Sequence, residues 1–158
     1  MAHAYIRLKL LTGMSRGDLL RLEPARHFKD DGIHVQRHKT AESTGKRTIY
    51  EWTPERRQAV ADAVAARPVH ISPFLFCNAA GKCYLDESKG TASGFNNLWQ
   101  NFMARVLKET KVTQRFTEHD LRAKCASDAE SLEKARALLA HATTATTLRV
   151  YRRKPERV

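Results

Sequence analysis

The residues of this sequence best suited to chemistry are two histidines, an arginine and a tyrosine in its last forty positions, with a lysine far upstream. Arginine offers a planar fork for two phosphate oxygens, and histidine exchanges protons near neutral pH. Lysine is a mobile ammonium that can donate a proton, and tyrosine can form a reversible covalent bond to phosphorus. Such side chains together can bind a phosphodiester, attack it and protonate the oxygen that leaves. They are His119, Arg122, His141, Tyr151 and Lys39.

Composition favours a polyanionic partner. The 158-residue chain has 28 Lys and Arg against 17 Asp and Glu, a formal net charge of +11, and so large an excess on one small domain is typical of nucleic-acid binding. The alternative is a basic protein without such a partner. The basic residues are spread along the chain rather than set on one amphipathic helix, which argues against a membrane surface. Three scattered cysteines argue against a disulfide framework and favour a reducing cytoplasm.

The elements that position these residues are predicted to be mainly helical. Apolar spacing predicts a helix over 4–11 and a second helix capped by Ser15. Two β-like runs predict a small antiparallel sheet near residues 27–52. The polar loop between the two runs carries Lys39, so this lysine is placed where a strand ends.

The second half of the chain is predicted to be helical apart from one irregular stretch. Thr53, followed by proline, marks a helix start. A short strand is predicted over 74–76. The apolar stripe over 95–106 predicts a long amphipathic helix that faces the core. Ser127 is predicted to cap a later helix that runs to residue 139.

The helix that carries the arginine has a distinct start. Thr117 begins a pattern like a capping box, with Asp120 in place of the usual Glu. His119 and Arg122 then lie three apart on one face of the first turn, where free backbone N–H groups form an anion site. Tyr151 is predicted to lie on a final helix.

Taken singly, each of these residues is ordinary, since a lone histidine is usually structural and a lone tyrosine usually packs in a helix. The ordered series is more specific: His-Asp-Leu-Arg at 119–122, Leu-Leu-Ala-His at 138–141, and a tyrosine ten residues later. This series resembles the catalytic domain of the tyrosine recombinases, the phage integrase group. The resemblance covers nearly the whole chain and extends to the stretches 11–20 and 38–40.

The resemblance implies a fold and a set of roles. The fold would be mainly α with a small antiparallel β-sheet (α+β), the tyrosine recombinase catalytic-domain fold. Tyr151 would attack DNA and form a 3′-phosphotyrosyl link, and Lys39 would protonate the leaving 5′ oxygen. Arg122 would bind the scissile phosphate, while His119 and His141 would hydrogen-bond its oxygens or assist proton movement.

The resemblance also implies what the protein works with. No metal, ATP or other cofactor would be needed, because the phosphotyrosine preserves the bond energy for religation. The substrate would be duplex DNA at a specific site, bound by a homo-tetramer that is a monomer in isolation, with no membrane association. The protein would be cytoplasmic and encoded by a bacterium or a phage.

Three departures from the family pattern stand out. Ser15 occupies the position of the first catalytic arginine, and Arg16 beside it is turned about 100° around the helix; both are candidate phosphate ligands. An engineered change, a decayed or specialised recombinase, and a local shift that lets Arg16 serve are the competing explanations. Ala140 replaces the usual glycine before His141. No N-terminal DNA-binding domain precedes residue 1, so we expect a single catalytic domain over 1–158.

Two rival functions follow from these departures. The first is a catalytically impaired relic that binds recombination sites without cutting them, and Ser15 favours it. The second is a monomeric enzyme like the type IB topoisomerases, which shares the chemistry but relaxes supercoils. The match of 12–20 and 138–141 to integrases argues against the second rival.

Overall fold

The computed structural model describes residues 1–36, 47–141 and 143–148. In this part of the chain the protein is mainly helical with a small antiparallel sheet, as the sequence predicts. The helices are α1 (Ala2–Thr12), α2 (Arg16–Leu20), α3 (Pro24–His27), α4 (Pro54–Ala65), α5 (Ser93–Glu109), α6 (Glu118–Asp128), α7 (Leu132–Leu138) and α8 (Thr144–Thr146). The strands are β1 (Phe28–Lys29), β2 (Gly32–Gln36) and β3 (Arg47–Glu51).

The sheet is a three-stranded antiparallel meander in the order β1-β2-β3. Ile33 of β2 pairs with Phe28 on one side and with Tyr50 on the other. Ile33 and Tyr50 are buried, so one face of the sheet joins the core. The Tyr50 hydroxyl donates to the carbonyl of Leu138 at 3.0 Å. This bond attaches the sheet to the end of α7.

Helix α1 is the centre of the core and lies against both α4 and α6. Leu8 is fully buried, and the ring of Tyr5 packs against Phe76 and Phe95 with centroid distances of 5.4 and 4.7 Å. Because α6 rests directly on α1, its arginine is brought to the turn that follows α1. Among the described residues, no helix is both long and apolar enough to cross a bilayer.

The helix starts form as the local sequence predicts. The side chains of Ser15 and Thr53 accept hydrogen bonds from the backbone N–H groups of Asp18 and Arg56, each at 3.2 Å. Thr117 and Asp120 form the reciprocal capping box that opens α6. Each cap satisfies an N–H group that a helix start leaves without a partner.

The strand predicted over 74–76 is wrong. This segment is buried but irregular, and the Leu75 N–H donates to the carbonyl of Leu22 at 2.7 Å instead of to a neighbouring strand. Backbone pairing begins only at the isolated bridge between Cys77 and Cys83. The apolar residues 74–76 therefore form a loop rather than a strand, because the Leu22 carbonyl accepts a hydrogen bond that a neighbouring strand would otherwise accept.

The cap predicted at Ser127 is also wrong. Helix α6 continues through Ser127 to Asp128, since Cys125 and Ala126 on its inner face are buried. The true cap of α7 is Ser131, whose side chain accepts from the Lys134 N–H at 3.0 Å.

Candidate functional site

Arg122 is the centre of the described site. It lies on α6 and is 4% exposed. Its Nη1 donates to the carbonyl of Gly13, and its Nη2 donates to the carbonyl of Leu139 at 2.7 Å. Nη2 also lies 3.3 Å from Nε2 of His141. One guanidinium therefore joins the turn after α1 to the turn after α7, and its plane is fixed by groups from both.

The first of these turns depends on glycine. Gly13 has φ 63, and its N–H donates to the Lys9 carbonyl at 2.7 Å, which closes α1. A Cβ at this position would lie 3.0 Å from both Cys125 Sγ and Leu139 Cδ2. The backbone angle and the tight surroundings both require glycine. Burial raises the pKa of the neighbouring Cys125 to about 11.

The second turn, which follows α7, also has a residue in the left-handed region, but this residue is an alanine. Ala140 has φ 51, its N–H donates to the carbonyl of Ala137, and the N–H of His141 donates to the carbonyl of Arg136, both at 3.0 Å. This pair of bonds is the Schellman ending of a helix, in which glycine is the usual residue. A glycine would adopt this angle without strain, and alanine here costs about 1–2 kcal/mol of backbone strain.

The ending of α7 orients the imidazole of His141, which is 5% exposed. Its Nδ1 lies 2.8 Å from Oγ1 of the buried Thr147. A guanidinium only donates, so Nε2 accepts from Arg122 and the ring proton is assigned to Nδ1, which donates to Thr147. The guanidinium therefore sets the tautomer, the threonine hydroxyl accepts the Nδ1 proton, and the Nε2 lone pair faces the cation.

Ser15, which the sequence resemblance aligns with the first arginine of the tyrosine recombinases, caps the start of α2. Its Oγ accepts from the Asp18 N–H at 3.2 Å and donates to Asp18 Oδ2 at 2.6 Å. Serine is among the preferred residues at a helix N-cap. The described contacts of Ser15 are therefore those of a cap.

Arg16 is engaged on the side of α5 and the start of α6. Its Nε lies 3.3 Å from Glu118 Oε1, and its Nη1 donates to Asn96 Oδ1 at 3.1 Å. It lines a cavity of about 370 Å³ whose walls include Trp99 and Phe116. Its guanidinium is thus held beside Glu118 rather than at the carbonyls that hold Arg122.

Lys9 of α1 is almost fully enclosed, with 2% of its surface exposed. Its Nζ lies 3.1 Å from Glu118 Oε2, and 3.4 Å from both the Tyr5 hydroxyl and the Met14 carbonyl. The Tyr5 hydroxyl donates to the same carboxylate oxygen at 2.7 Å. Burial lowers the pKa of Lys9, partly offset by Glu118, and burial raises the pKa of Tyr5 well above its usual value.

The remaining predicted site residues are placed as follows. His119 is exposed in the first turn of α6, three residues before Arg122. Lys39 and Tyr151 lie outside the described residues. Of the predicted set, the structure therefore brings Arg122 and His141 into contact and puts His119 on the same helix as Arg122.

The architecture that holds these groups matches solved structures over almost its entire length. The XerA recombinase matches with a TM-score of 0.66 and 18% sequence identity over 98% of this chain. The Tn1549 transposon integrase, solved in complex with circular intermediate DNA, matches with a TM-score of 0.64 and 15% identity over 97% of this chain. This chain has a tyrosine recombinase fold.

The recombinase fold is recognised here from structure rather than from sequence similarity. No family model matches the chain, and no curated protein matches its sequence. The chain spans 58% of the XerA recombinase chain and 54% of the integrase chain, so it corresponds to little more than half of each.

Within this recombinase fold the described groups are of types that can bind an anion. The guanidinium of Arg122 and the imidazole of His141 meet beside α6, whose first turn carries His119 and presents backbone N–H groups. Their burial lowers the local dielectric and strengthens attraction to an anion. Donors already fixed in place need no reorganisation when an anionic group arrives.

Sequence reasoning missed several residues that shape this site of the recombinase fold. Lys9 had one signal, a charge flanked by the apolar residues Leu8 and Leu10. Thr147 and Glu118 had no such signal, because their partners become visible only when distant helices meet. The backbone carbonyls that accept from Arg122 could not be predicted from the sequence for the same reason.

Proposed function

We propose that this chain is the catalytic domain of a site-specific recombinase that breaks and rejoins duplex DNA through a 3′-phosphotyrosyl intermediate. The observation that carries the proposal is the buried contact of Arg122 with His141, held between two turns inside a tyrosine recombinase fold. The net charge of +11 supports a polyanionic substrate. The DNA complex of the structurally similar Tn1549 integrase supports the same substrate class.

The first part of the mechanism is recognition of the scissile phosphate. Arg122 binds its non-bridging oxygens and, as charge grows on them, stabilises the transition state. His119 approaches the same phosphate from the first turn of α6, whose N–H groups favour an anion. His141 Nε2 accepts from Arg122 in this structure, so it donates to a phosphate oxygen only after it takes up a proton.

The second part is the transfer itself. The phenol oxygen of Tyr151 attacks phosphorus, the bond from phosphorus to the 5′ oxygen breaks, and Lys39 gives its proton to that oxygen. With a pKa near 10, only about one tyrosine in a thousand is ionised at pH 7, so the phenol must lose its proton to a neighbouring base. Attack by the 5′ hydroxyl on the phosphotyrosine reverses the step and rejoins the strand. The active assembly is a tetramer on DNA.

A second candidate function is a catalytically impaired relic that binds recombination sites without cutting them, and the described contacts of position 15 favour it. The Ser15 hydroxyl is bonded to Asp18, and Arg16 is paired with Glu118. Absence of one phosphate-binding guanidinium slows such a reaction by about 10²–10³. The two candidates thus share a substrate and differ in whether it is cut.

A covalent-adduct assay separates them. The protein is incubated with a nicked suicide duplex, and phosphotyrosyl product is measured on a denaturing gel. The recombinase proposal predicts an adduct that disappears in Tyr151→Phe and falls by at least about 10²-fold in Arg122→Met. Lys124→Met is the matched control, since it removes an exposed charge from the same helix.

Ser15→Arg extends the same assay to the relic. An adduct formed only by this variant identifies an impaired enzyme whose site otherwise remains intact. Absence of an adduct from both proteins, with DNA still bound, contradicts the enzyme proposal. Relaxation of supercoiled plasmid without strand exchange would instead identify the topoisomerase-like rival.

A further inference from the structure

Glu118 is an unexpected neighbour for a phosphate site. It is the first residue of α6 and lies four positions before Arg122, so the two side chains share one face of the helix, one turn apart. A carboxylate there repels an anion that approaches Arg122. A carboxylate at the first position of a helix also interacts favourably with the positive end of the helix dipole, so Glu118 stabilises α6.

Two cations from other helices hold this carboxylate. Lys9 of α1 contacts Oε2 at 3.1 Å, and Arg16 of α2 contacts Oε1 at 3.3 Å. The Tyr5 hydroxyl adds a neutral hydrogen bond at 2.7 Å. With two positive groups on one negative group, the cluster of Lys9, Arg16 and Glu118 carries a net positive charge.

Lys9 is coupled to the phosphate site through space. Burial, Arg122 and Arg16 all lower its pKa, whereas Glu118 raises it. Lys9 Nζ lies 3.4 Å from the carbonyl of Met14, and Arg122 donates to the carbonyl of Gly13, the preceding residue, so both cations lie at the same turn. Since Lys9 is 2% exposed, solvent and salt screen its charge much less than that of a surface lysine.

We propose that Lys9 is an electrostatic positioning residue of the phosphate site, which offsets Glu118 and, with Arg16, keeps the first turn of α6 attractive to a phosphodiester. This role rests on the proposed DNA-cleaving function. Lys9 Nζ lies 3.4 Å from the carbonyl of Met14. Its positive charge is therefore next to Ser15, the position at which the resemblance expects an arginine. Lys9 acts without touching the substrate.

The rival explanation is a purely mechanical one, in which the bridge between Lys9 and Glu118 only holds α6 against α1. Two variants distinguish charge from bridge. Lys9→Met removes one positive charge and leaves Glu118 paired with Arg16. Both variants therefore lack the bridge between Lys9 and Glu118. In the double variant Lys9→Met/Glu118→Gln the lost positive charge is balanced by a lost negative charge, so the net charge equals that of the parent. The double variant also leaves no unpaired buried carboxylate.

The test measures binding of inorganic phosphate at low ionic strength, followed by the NMR signals of the His141 ring, which Arg122 contacts. His141→Gln assigns these signals. We expect Lys9→Met to weaken phosphate binding by about tenfold and the double variant to stay within about threefold of the parent. Lys124→Met, which also removes one positive charge from a cation–carboxylate pair but at an exposed site on α6, should change binding by less than about twofold.

Three results would overturn this role for Lys9: unchanged binding in Lys9→Met, equal weakening in both variants, or no response of His141 to phosphate in the parent. Thermal unfolding of each variant shows whether it is folded at the assay temperature. The phosphate titration does not require cleavage. If the parent binds phosphate with the expected dependence on Lys9, but neither the parent nor Ser15→Arg forms a DNA adduct while both still bind DNA, the proposed function is refuted and the electrostatic role is left intact.

Discussion

Two turns of this molecule do the same task with different residues. The turn at Gly13 and the turn at Ala140 both place one residue in the left-handed region, with φ 63 and φ 51. Each turn also contributes a backbone carbonyl to Arg122, from Gly13 in the first and from Leu139 in the second. The first turn has glycine, and the second has alanine.

The difference between the turns lies in their surroundings. A methyl group on Gly13 would be pressed to within 3.0 Å of Cys125 Sγ and Leu139 Cδ2. The Ala140 methyl lies in a half-buried turn, and its backbone angle is in the left-handed region. A left-handed residue therefore tolerates a side chain according to the space around it, and the cost at each turn can be measured separately.

The largest effect is expected when the link between the turns is removed. Arg122→Lys replaces a planar fork with one ammonium, which cannot reach both carbonyls and His141 together. We expect the free energy of unfolding to fall by about 3–5 kcal/mol, because buried acceptors lose their donors. Denaturant titration measures this loss.

Arg136→Lys is the matched control, since Arg136 is half-buried and donates to the carbonyl of His141 beside the same turn. Its expected loss is below about 1 kcal/mol. Similar losses in Arg122→Lys and Arg136→Lys would show that the shared guanidinium is not what joins the turns.

Crowding at the first turn is tested by Gly13→Ala. The left-handed angle costs about 1–2 kcal/mol and the tight contacts add about 1–2 kcal/mol, so the free energy of unfolding should fall by about 2–4 kcal/mol. Gly90→Ala supplies the comparison, because Gly90 has φ 61 and a Cβ added there would meet no atom of the described residues within 4 Å. Equal losses at both glycines would remove crowding as the explanation.

The thiol beside the first turn predicts a pH dependence. Burial raises the pKa of Cys125 from 9.0 to about 11. Below pH 9 the thiol is neutral in both the folded and the unfolded chain, so its contribution to stability is fully present there. As the pH rises from 9 through 11, the unfolded chain ionises first and about 2–3 kcal/mol of that contribution is lost.

Cys125→Ala isolates this effect, since other groups titrate in the same range. The loss of unfolding free energy between pH 9 and 11 should be about 2–3 kcal/mol smaller in Cys125→Ala than in the parent, as measured by denaturant titration at each pH. Parallel pH profiles for the two proteins would contradict the assignment.

The smallest effect is expected at the second turn. Ala140→Gly removes the strain of an alanine held in the left-handed backbone region. We expect the free energy of unfolding to rise by about 1 kcal/mol. Ala137→Gly, inside α7, should instead lower it by about 1 kcal/mol. The opposite signs, measured by denaturant titration, separate a turn effect from a general effect of glycine. A loss at both positions would show that the angle of Ala140 is not strained.

The parts of the fold that the sequence predicted are those set by neighbours along the chain. Ser15, Thr53 and Thr117 cap helices through bonds to the backbone three residues later, so local spacing was enough. The strand predicted over 74–76 was wrong because the backbone of this run bonds to a loop that is distant in the sequence. The cap predicted at Ser127 was wrong because α6 continues through this residue, whose neighbours on the inner face of the helix are buried.

The sequence pattern pointed to residues that the structure brings together, but not to the groups that support them. It predicted that the residues from His119 to His141 bind a phosphate, which stays a prediction, and the structure brings Arg122 and His141 into contact. Lys9 and Glu118 are separated by 109 positions, so nothing in local sequence joins them. Lys39 and Tyr151 stay predictions, because both lie outside the described residues.

The two carbonyls that hold Arg122 have a consequence for the order of folding. Gly13 is 109 positions before this arginine and Leu139 is 17 positions after it. During synthesis the guanidinium gains its second acceptor only after Leu139 has emerged from the ribosome, and the first contact must close a long loop. In a nascent chain this guanidinium therefore lacks one of its two backbone acceptors until residue 139 has been added.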